Sequence, residues 1–238
     1  MRGLLLFVLL TAAFAGEEWP SARFDPLNTG VTKNKGPIAT PQVAWKHEEK
    51  ETISPGVALG AGRLAYGMGE FVVAYREASD GREVWDGAVK QQVSAWPAIG
   101  PGGVYVGSPD QVHYILKLAD GKEAGATEAA GSIVADPVVT EEWYLAGSTD
   151  GLLYVMSPKN GAVLWKPKTG PVRYGCALDK TTAYVVSDEG TLFALDLKKK
   201  QEEWKCDLKG AARCAPIVGK GTIWVVVADA VQGVTKKG

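Results

Sequence analysis

Residues 147–165, GSTDGLLYVMSPKNGAVLW, are the unit that the rest of the chain repeats. An apolar strand runs from Leu152 to Met156, a turn is built on Pro158, Asn160 and Gly161, and a second short strand ends at Trp165. Two strands of that length cannot bury their own faces, so copies must pack against them.

Two markers count the copies. Tryptophans that close a strand stand at Trp45, Trp85, Trp165 and Trp204, with gaps of 40, 80 and 39 residues, and Gly125 occupies the place of the missing one. Gly81, Gly121 and Gly161 each precede these positions by 4 residues, with Lys200 in that place in the last copy. Pro55, Pro97, Pro137, Ala177 and Pro216 open short apolar strands at intervals of 42, 40, 40 and 39. Between the markers lie period-two strands, clearest at Val104 to Ser108, Trp143 to Ser148, Thr182 to Ser187 and Thr222 to Val227, with a weaker form at Arg63 to Gly67. Recurrence of two separate markers argues against a β-sandwich. A period near 40 with four short strands per copy points to an all-β β-propeller.

The blades are expected at 46–85, 86–125, 126–165, 166–204 and 205–238. The last stops before its own tryptophan strand, so the strand 41–45 is expected to complete it and close a five-bladed ring. Trp45, Trp85, Trp165 and Trp204, with Gly81, Gly121 and Gly161, are read as the docking residues between blades, because an indole buries a large area at a strand end.

Residues 1–15 read as a secretory signal: Arg2, an apolar run from Leu4 to Leu10, then Ala13 and Ala15 in an A-x-A pattern. The apolar run is too short to span ~30 Å of hydrocarbon comfortably. A lead-in, 16–40, follows, and an extracytoplasmic protein, periplasmic or secreted, is expected. At 238 residues the chain can bury a sizeable core. Its net charge is −1 and its longest basic run is Lys198 to Lys200, which disfavours nucleic acid as a partner. Cys176, Cys206 and Cys214 fit neither a disulfide scaffold nor a zinc site; Cys206 with Cys214, Cys176 with Cys214, and burial of three free thiols are the readings open.

The run of a short strand, an Asp or its neighbour, a Gly turn and a Trp, as in Val155-Met156-Ser157 through Gly161 and Trp165 or Ala194-Leu195-Asp196 through Trp204, resembles the tryptophan-docking repeat of PQQ-type β-propellers. The lead-in Trp19-Pro20-Ser21-Ala22-Arg23-Phe24-Asp25-Pro26-Leu27-Asn28-Thr29-Gly30 is similar to a W-P-x-x-R-x-D-x-x-x-x-G segment that often precedes such repeats in secreted bacterial proteins. The resemblance implies one of two classes. Quinoprotein dehydrogenases hold pyrroloquinoline quinone (PQQ) and calcium over an eight-bladed ring, whereas BamB-type non-enzymatic propellers bind protein. This chain is short for eight blades and lacks the adjacent cysteine pair of many of the alcohol dehydrogenases.

The residues themselves offer little chemistry. His47 and His113 lie at unlike positions of different repeats and are read as structural or exposed. Gly219-Lys220-Gly221-Thr222 is read as a β-turn rather than a phosphate loop. Asp110, Asp150, Asp188 and Asp229 are read as turn formers, because calcium needs more oxygens within a few residues than Ser148-Thr149-Asp150-Gly151 provides. What remains is a ring at one channel mouth just before the proline markers, where Ser54, Trp96, Asp136, Arg173, Tyr174 and Arg213 form the candidate binding set, flanked by Thr52, Ser94, Cys176 and Cys214. Asp136 is also placed to form an ion pair with Arg173 or Arg213. The expected function is a non-catalytic, monomeric scaffold without cofactor, presenting a rigid face to a protein or an envelope polymer. The alternative is a small quinone-dependent oxidoreductase needing PQQ and calcium, with Asp136 as its base.

Overall fold

The computed structural model describes residues 22–23, 25–30 and 43–237. The expected signal sequence, most of the lead-in and residues 41 and 42 lie outside the described residues. The described chain has no helix and forms five antiparallel sheets, each a simple up-and-down meander. The first holds β1 (Ile53–Gly60), β2 (Arg63–Met68), β3 (Val72–Glu77) and β4 (Glu83–Ala88); the second holds β5 (Ala98–Gly100), β6 (Gly103–Gly107), β7 (Val112–Leu116) and β8 (Glu123–Glu128). The third holds β9 (Val138–Val139), β10 (Tyr144–Gly147), β11 (Leu153–Met156) and β12 (Val163–Trp165), and the fourth β13 (Ala177–Asp179), β14 (Thr182–Val186), β15 (Thr191–Asp196) and β16 (Gln201–Asp207). The fifth has three strands: β17 (Ile217–Val218), β18 (Thr222–Val227) and β19 (Ala230–Thr235).

The middle strands β6, β7, β10 and β11 are buried along their whole length, because the second and third sheets each pack a neighbour on both faces. Four apolar cores result, one between each pair of consecutive sheets. That between the second and third contains Tyr105, Ile115, Tyr144 and Tyr154; that between the fourth and fifth contains Tyr184, Leu192, Ile223 and Val225. A smaller cluster of Tyr66, Met68 and Ala74 lies on the other face of the first sheet.

The recurring turn has a local cause. Asp80, Asp120 and Asn160 each accept from the backbone N–H two residues on, at 3.0, 3.1 and 3.1 Å, and the next residues, Gly81, Gly121 and Gly161, have φ of +75, +68 and +75°. Lys200 holds the corresponding left-handed position of the fourth sheet with φ +55°.

Tryptophans stitch each sheet to the next. The Trp85 indole donates to Leu118 O at 2.9 Å, and a Cβ at Gly121 would lie 2.5 Å from its ring. The Trp204 indole donates to Lys236 O at 3.2 Å, and Trp165 packs against the core between the third and fourth sheets. Where the tryptophan is missing, Gly125 lets the strand approach the next turn, since a Cβ there would meet Asn160 O at 2.3 Å, and the Thr127 hydroxyl donates to Gly161 O at 2.6 Å instead.

Trp45 follows the same rule. Its indole donates to Ala78 O at 3.2 Å and packs on Gly81, so the segment is held by the first sheet. Residues 43–49 carry no strand, and among the described residues β19 pairs with β18 alone. The ladder expected between 41–45 and the last sheet is therefore not among the described pairings.

Candidate functional site

The lead-in reaches the expected channel mouth. Leu178 N donates to Pro26 O at 2.6 Å and Val218 N to Leu27 O at 2.9 Å, so the segment lies along the first strands of the fourth and fifth sheets. Asn28, in the left-handed region at φ +60°, donates from Nδ2 to Cys176 O at 2.9 Å and to Pro216 O at 3.0 Å. Asp25 steadies this turn by accepting from the backbone N–H of Thr29 at 3.0 Å and from its hydroxyl.

Asp136 faces that segment. Its Oδ1 accepts the backbone N–H of Trp96 at 2.9 Å, tying the second sheet's entry to the third's. Burial raises its pKa, while the Trp96 N–H and the charge of Arg23 act in the opposite direction. The space left among Arg23, Asn28, Asp136, Gly175 and Cys176 is about 10 Å³, room for one water at most. The Cys176 thiol is buried, which pushes its pKa up to about 12; all three cysteines are free.

The six expected binding residues are not gathered into one pocket. Trp96 lies flat against Gly56, where a Cβ would meet its ring at 2.2 Å, and Ser54 is buried with its hydroxyl unpartnered among the described residues. Tyr174 packs against the core of the fourth and fifth sheets. Arg173 donates to Asp188 Oδ2 at 2.7 Å, not to Asp136. Arg213 is exposed and follows Ala212, whose N–H donates to Asp188 O at 3.2 Å. The two arginines thus flank the Asp188 turn, away from Asp136. Gly219-Lys220-Gly221-Thr222 forms the turn between β17 and β18, closed by Gly219 N to Thr222 O at 2.9 Å. Asp110 and Asp150 each accept from the backbone N–H two residues on, at 3.1 and 3.0 Å, and from the hydroxyls of Tyr114 and Tyr154. Among the described residues no group of three or more His, Cys, Asp or Glu side chains is arranged to hold a metal.

A second site, absent from the sequence reading, lies on the first sheet's outer face. Arg76 is buried and donates from Nε to Glu49 Oε1 at 2.9 Å and from Nη1 to Asp86 Oδ1 at 2.6 Å. Tyr66 donates to the same Glu49 oxygen at 2.5 Å, and His47 Nε2 lies 3.6 Å from it. Burial alone would raise the Glu49 pKa, but Tyr66 and Arg76 outweigh it and hold the carboxyl below its usual range. A depression of about 150 Å³ opens beside this cluster, lined by Trp45, Ile53, Val57, Leu64 and Tyr66. The signal was available: Arg76 occupies the phase that Leu116 and Met156 hold one and two periods later.

A family model described as "Outer membrane protein assembly factor BamB" matches residues 38–171 and 149–237. No curated protein sequence matches the chain. Among solved structures, BamB from Moraxella catarrhalis is similar at 16% identity with a TM-score of 0.55, covering 82% of this chain and 74% of its own. The quinohemoprotein alcohol dehydrogenase from Comamonas testosteroni is similar at 13% identity with a TM-score of 0.78, covering 93% of this chain. The computationally designed Ika8 protein is similar at 14% identity and a TM-score of 0.69, covering 79% of this chain. The chain spans 48% of the dehydrogenase and 60% of the designed protein. At these identities the likeness is one of fold.

Proposed function

The chain belongs to the family described as outer membrane protein assembly factor BamB, and from that premise we propose that it is an extracytoplasmic, non-catalytic propeller that binds another protein in the cell envelope. One observation carries the reading: at the expected channel mouth Pro26 O and Leu27 O accept from the first strands of two sheets, Asn28 donates to Cys176 O and Pro216 O, and about 10 Å³ is left beside Asp136. A fused-ring quinone does not fit there. Asp136 already spends Oδ1 on the Trp96 N–H, and its burial disfavours the charged carboxylate that a calcium ligand must supply. Binding then falls to surfaces outside the channel, and a rigid stack of sheets suits this because little is ordered on association. The exposed arginines that flank Asp188 offer charge for an acidic partner. The extracytoplasmic location rests on the apolar run Leu4 to Leu10 and the family; among the described residues no helix is long and apolar enough to cross a membrane.

Capture of partners from an envelope fraction, with wild type and Arg173→Glu/Arg213→Glu side by side, tests this. Loss of specific partners from the double variant is the expected result, and identical recovery would remove the arginine face from the account. The quinone reading has its own test. Adding pyrroloquinoline quinone and calcium to the purified chain should leave its melting temperature and absorbance unchanged; a saturable shift in either would overturn the non-catalytic reading.

A further inference from the structure

We propose that the depression over Arg76, on the outer face of the first sheet, binds a neutral single-ring aromatic compound bearing an oxygen acceptor, of which a phenol is the simplest. This goes beyond the envelope partner proposed above and uses neither of the arginines offered to that partner. Register places the walls: Val57 pairs across to Tyr66 and Leu64 to Arg76, so these side chains stand on one face of the sheet. Ile53 and Val57, 46 and 41% exposed, line the same depression from the first strand. The two aromatic walls are fixed from behind, Trp45 by its bond to Ala78 O and Tyr66 by its bond to Glu49. The site is therefore formed before anything enters it, and little has to be ordered on binding.

The polar end of the depression is a single nitrogen. Arg76 lines it although the residue is only 2% exposed. Its Nε donates to Glu49, and its Nη1 to Asp86 Oδ1 and to the carbonyls of Tyr75 and Trp85, both at 3.2 Å, which leaves Nη2 without a partner among the described residues. A charged donor left without an acceptor in apolar surroundings is costly, so an oxygen delivered there is held. The guanidinium already faces carboxylates at 2.9 and 2.6 Å, so another brought by the ligand would be repelled and the oxygen should be neutral. Volume and shape select the rest. About 150 Å³ is of the order that lodges one benzene ring. The repeat itself uses this place for a ring: Tyr105 and Tyr184, which share with Trp224 one register opposite Ala98, Ala177 and Ile217, are 0 and 4% exposed in the cores against the third and fifth sheets. Tyr105 shares its core with Met156, whose register in the third sheet is that of Arg76 in the first. A phenol over Arg76 is the same ring on the same face, with a charged donor where the core has a thioether.

The test is a titration of isotope-labelled protein with para-cresol, toluene and para-toluate, followed by NMR at the indole N–H of Trp45, whose resonance Trp45→Phe assigns. para-Cresol should move that resonance saturably. Toluene should bind about tenfold more weakly, the difference that one hydrogen bond to a charged donor makes, and para-toluate no better than toluene. Val57→Trp, at an exposed wall position, should abolish the para-cresol response in a chain whose circular dichroism is unchanged. In Arg76→Leu/Glu49→Leu, para-cresol and toluene should bind alike. No saturable response to para-cresol, or one that survives Val57→Trp, overturns the proposal. So does toluene binding wild type as tightly as para-cresol, which would make the depression apolar and nothing more, or tighter binding of para-toluate, which would make it an anion site. A Trp45 resonance that moves on raising the protein concentration alone would make a second copy the occupant and overturn it too. Capture from the envelope fraction is read at Arg173 and Arg213, so either proposal can fail without the other.

Discussion

The first sheet and the last each have one face with no neighbouring sheet among the described residues, and the two faces are built differently. On the first, Arg76 follows the same strand irregularity and pairs at the same register as Leu116, Met156 and Leu195, which are buried in the three cores farther along. Glu49 and Asp86 neutralise it, and the chain's own residues 45–49 cover part of the face. On the last, the register positions stay apolar and Trp224 stands in solvent. A charge buried at a repeat's apolar position specifies what must lie over it, here an acid at a fixed place. An apolar residue left bare at an interface position specifies only that something apolar should cover it. One end is therefore largely satisfied among the described residues, and at the other Trp224 stays half exposed.

The sharpest way to break that contrast is to return the first sheet to the repeat's own residue. Arg76→Leu leaves Glu49 buried without its cation and is expected to lower unfolding free energy by about 3 to 5 kcal/mol in urea titration. Adding Glu49→Leu should recover more than half of the loss, since Asp86 can hydrate. If the single variant is as stable as wild type, the cluster is not what holds 45–49 to the sheet.

Next in size is a matched pair at the shared register. Tyr184→Ala, inside a core, should cost roughly 3 to 5 kcal/mol, whereas Trp224→Ala in dilute protein should stay within about 1 kcal/mol of wild type. Equal losses would mean that Trp224 is already covered in the monomer.

An interior interface supplies a pH probe of its own. His113 lies between the second and third sheets against Tyr144 and Tyr154; burial lowers its pKa from 6.5 to about 3, against the opposing charge of Asp150. A proton therefore binds the unfolded chain first. Its contribution is complete above pH 6.5 and drains away as pH falls toward about 3, at up to ~1.4 kcal/mol per pH unit. His113→Gln should flatten that part of the stability profile, and an unchanged slope would assign the acid sensitivity to other groups. The smallest effect is expected at Thr127→Val, which removes the hydroxyl bond to Gly161 O that stands in for the absent indole, for about 1 kcal/mol. A loss of that size in chemical denaturation supports the substitution of threonine for tryptophan as a docking device.

The repeat was legible because its punctuation is made by residues with few alternatives: Gly at positive φ in the turns, and Trp where an indole must reach the next turn's carbonyl. Arg76 was legible too, as a charge out of phase with Leu116 and Met156, but only once the period is laid over the strand. The lead-in was not. Its hold on the fourth and fifth sheets runs through Pro26 O and Leu27 O, and backbone acceptors leave no mark on residue type. For the same reason the arginines expected beside Asp136 turned out to flank Asp188: position before a marker residue places a side chain near the mouth without saying which way its loop turns. The expectation of closure rests on the phase of Trp45 and on a last blade that stops before its own tryptophan strand; the indole's bond to Ala78 O places Trp45 on the first sheet, while residues 41 and 42 of the expected strand lie outside the described residues.

Amide hydrogen exchange across the sheets, wild type against Arg76→Leu, tests the account most directly. Exchange should quicken most in β3 and β4, where the guanidinium joins Glu49 to Asp86, and least in β10 and β11, two sheets away. Unchanged exchange in β3 and β4, or equal acceleration in all five sheets, would contradict it.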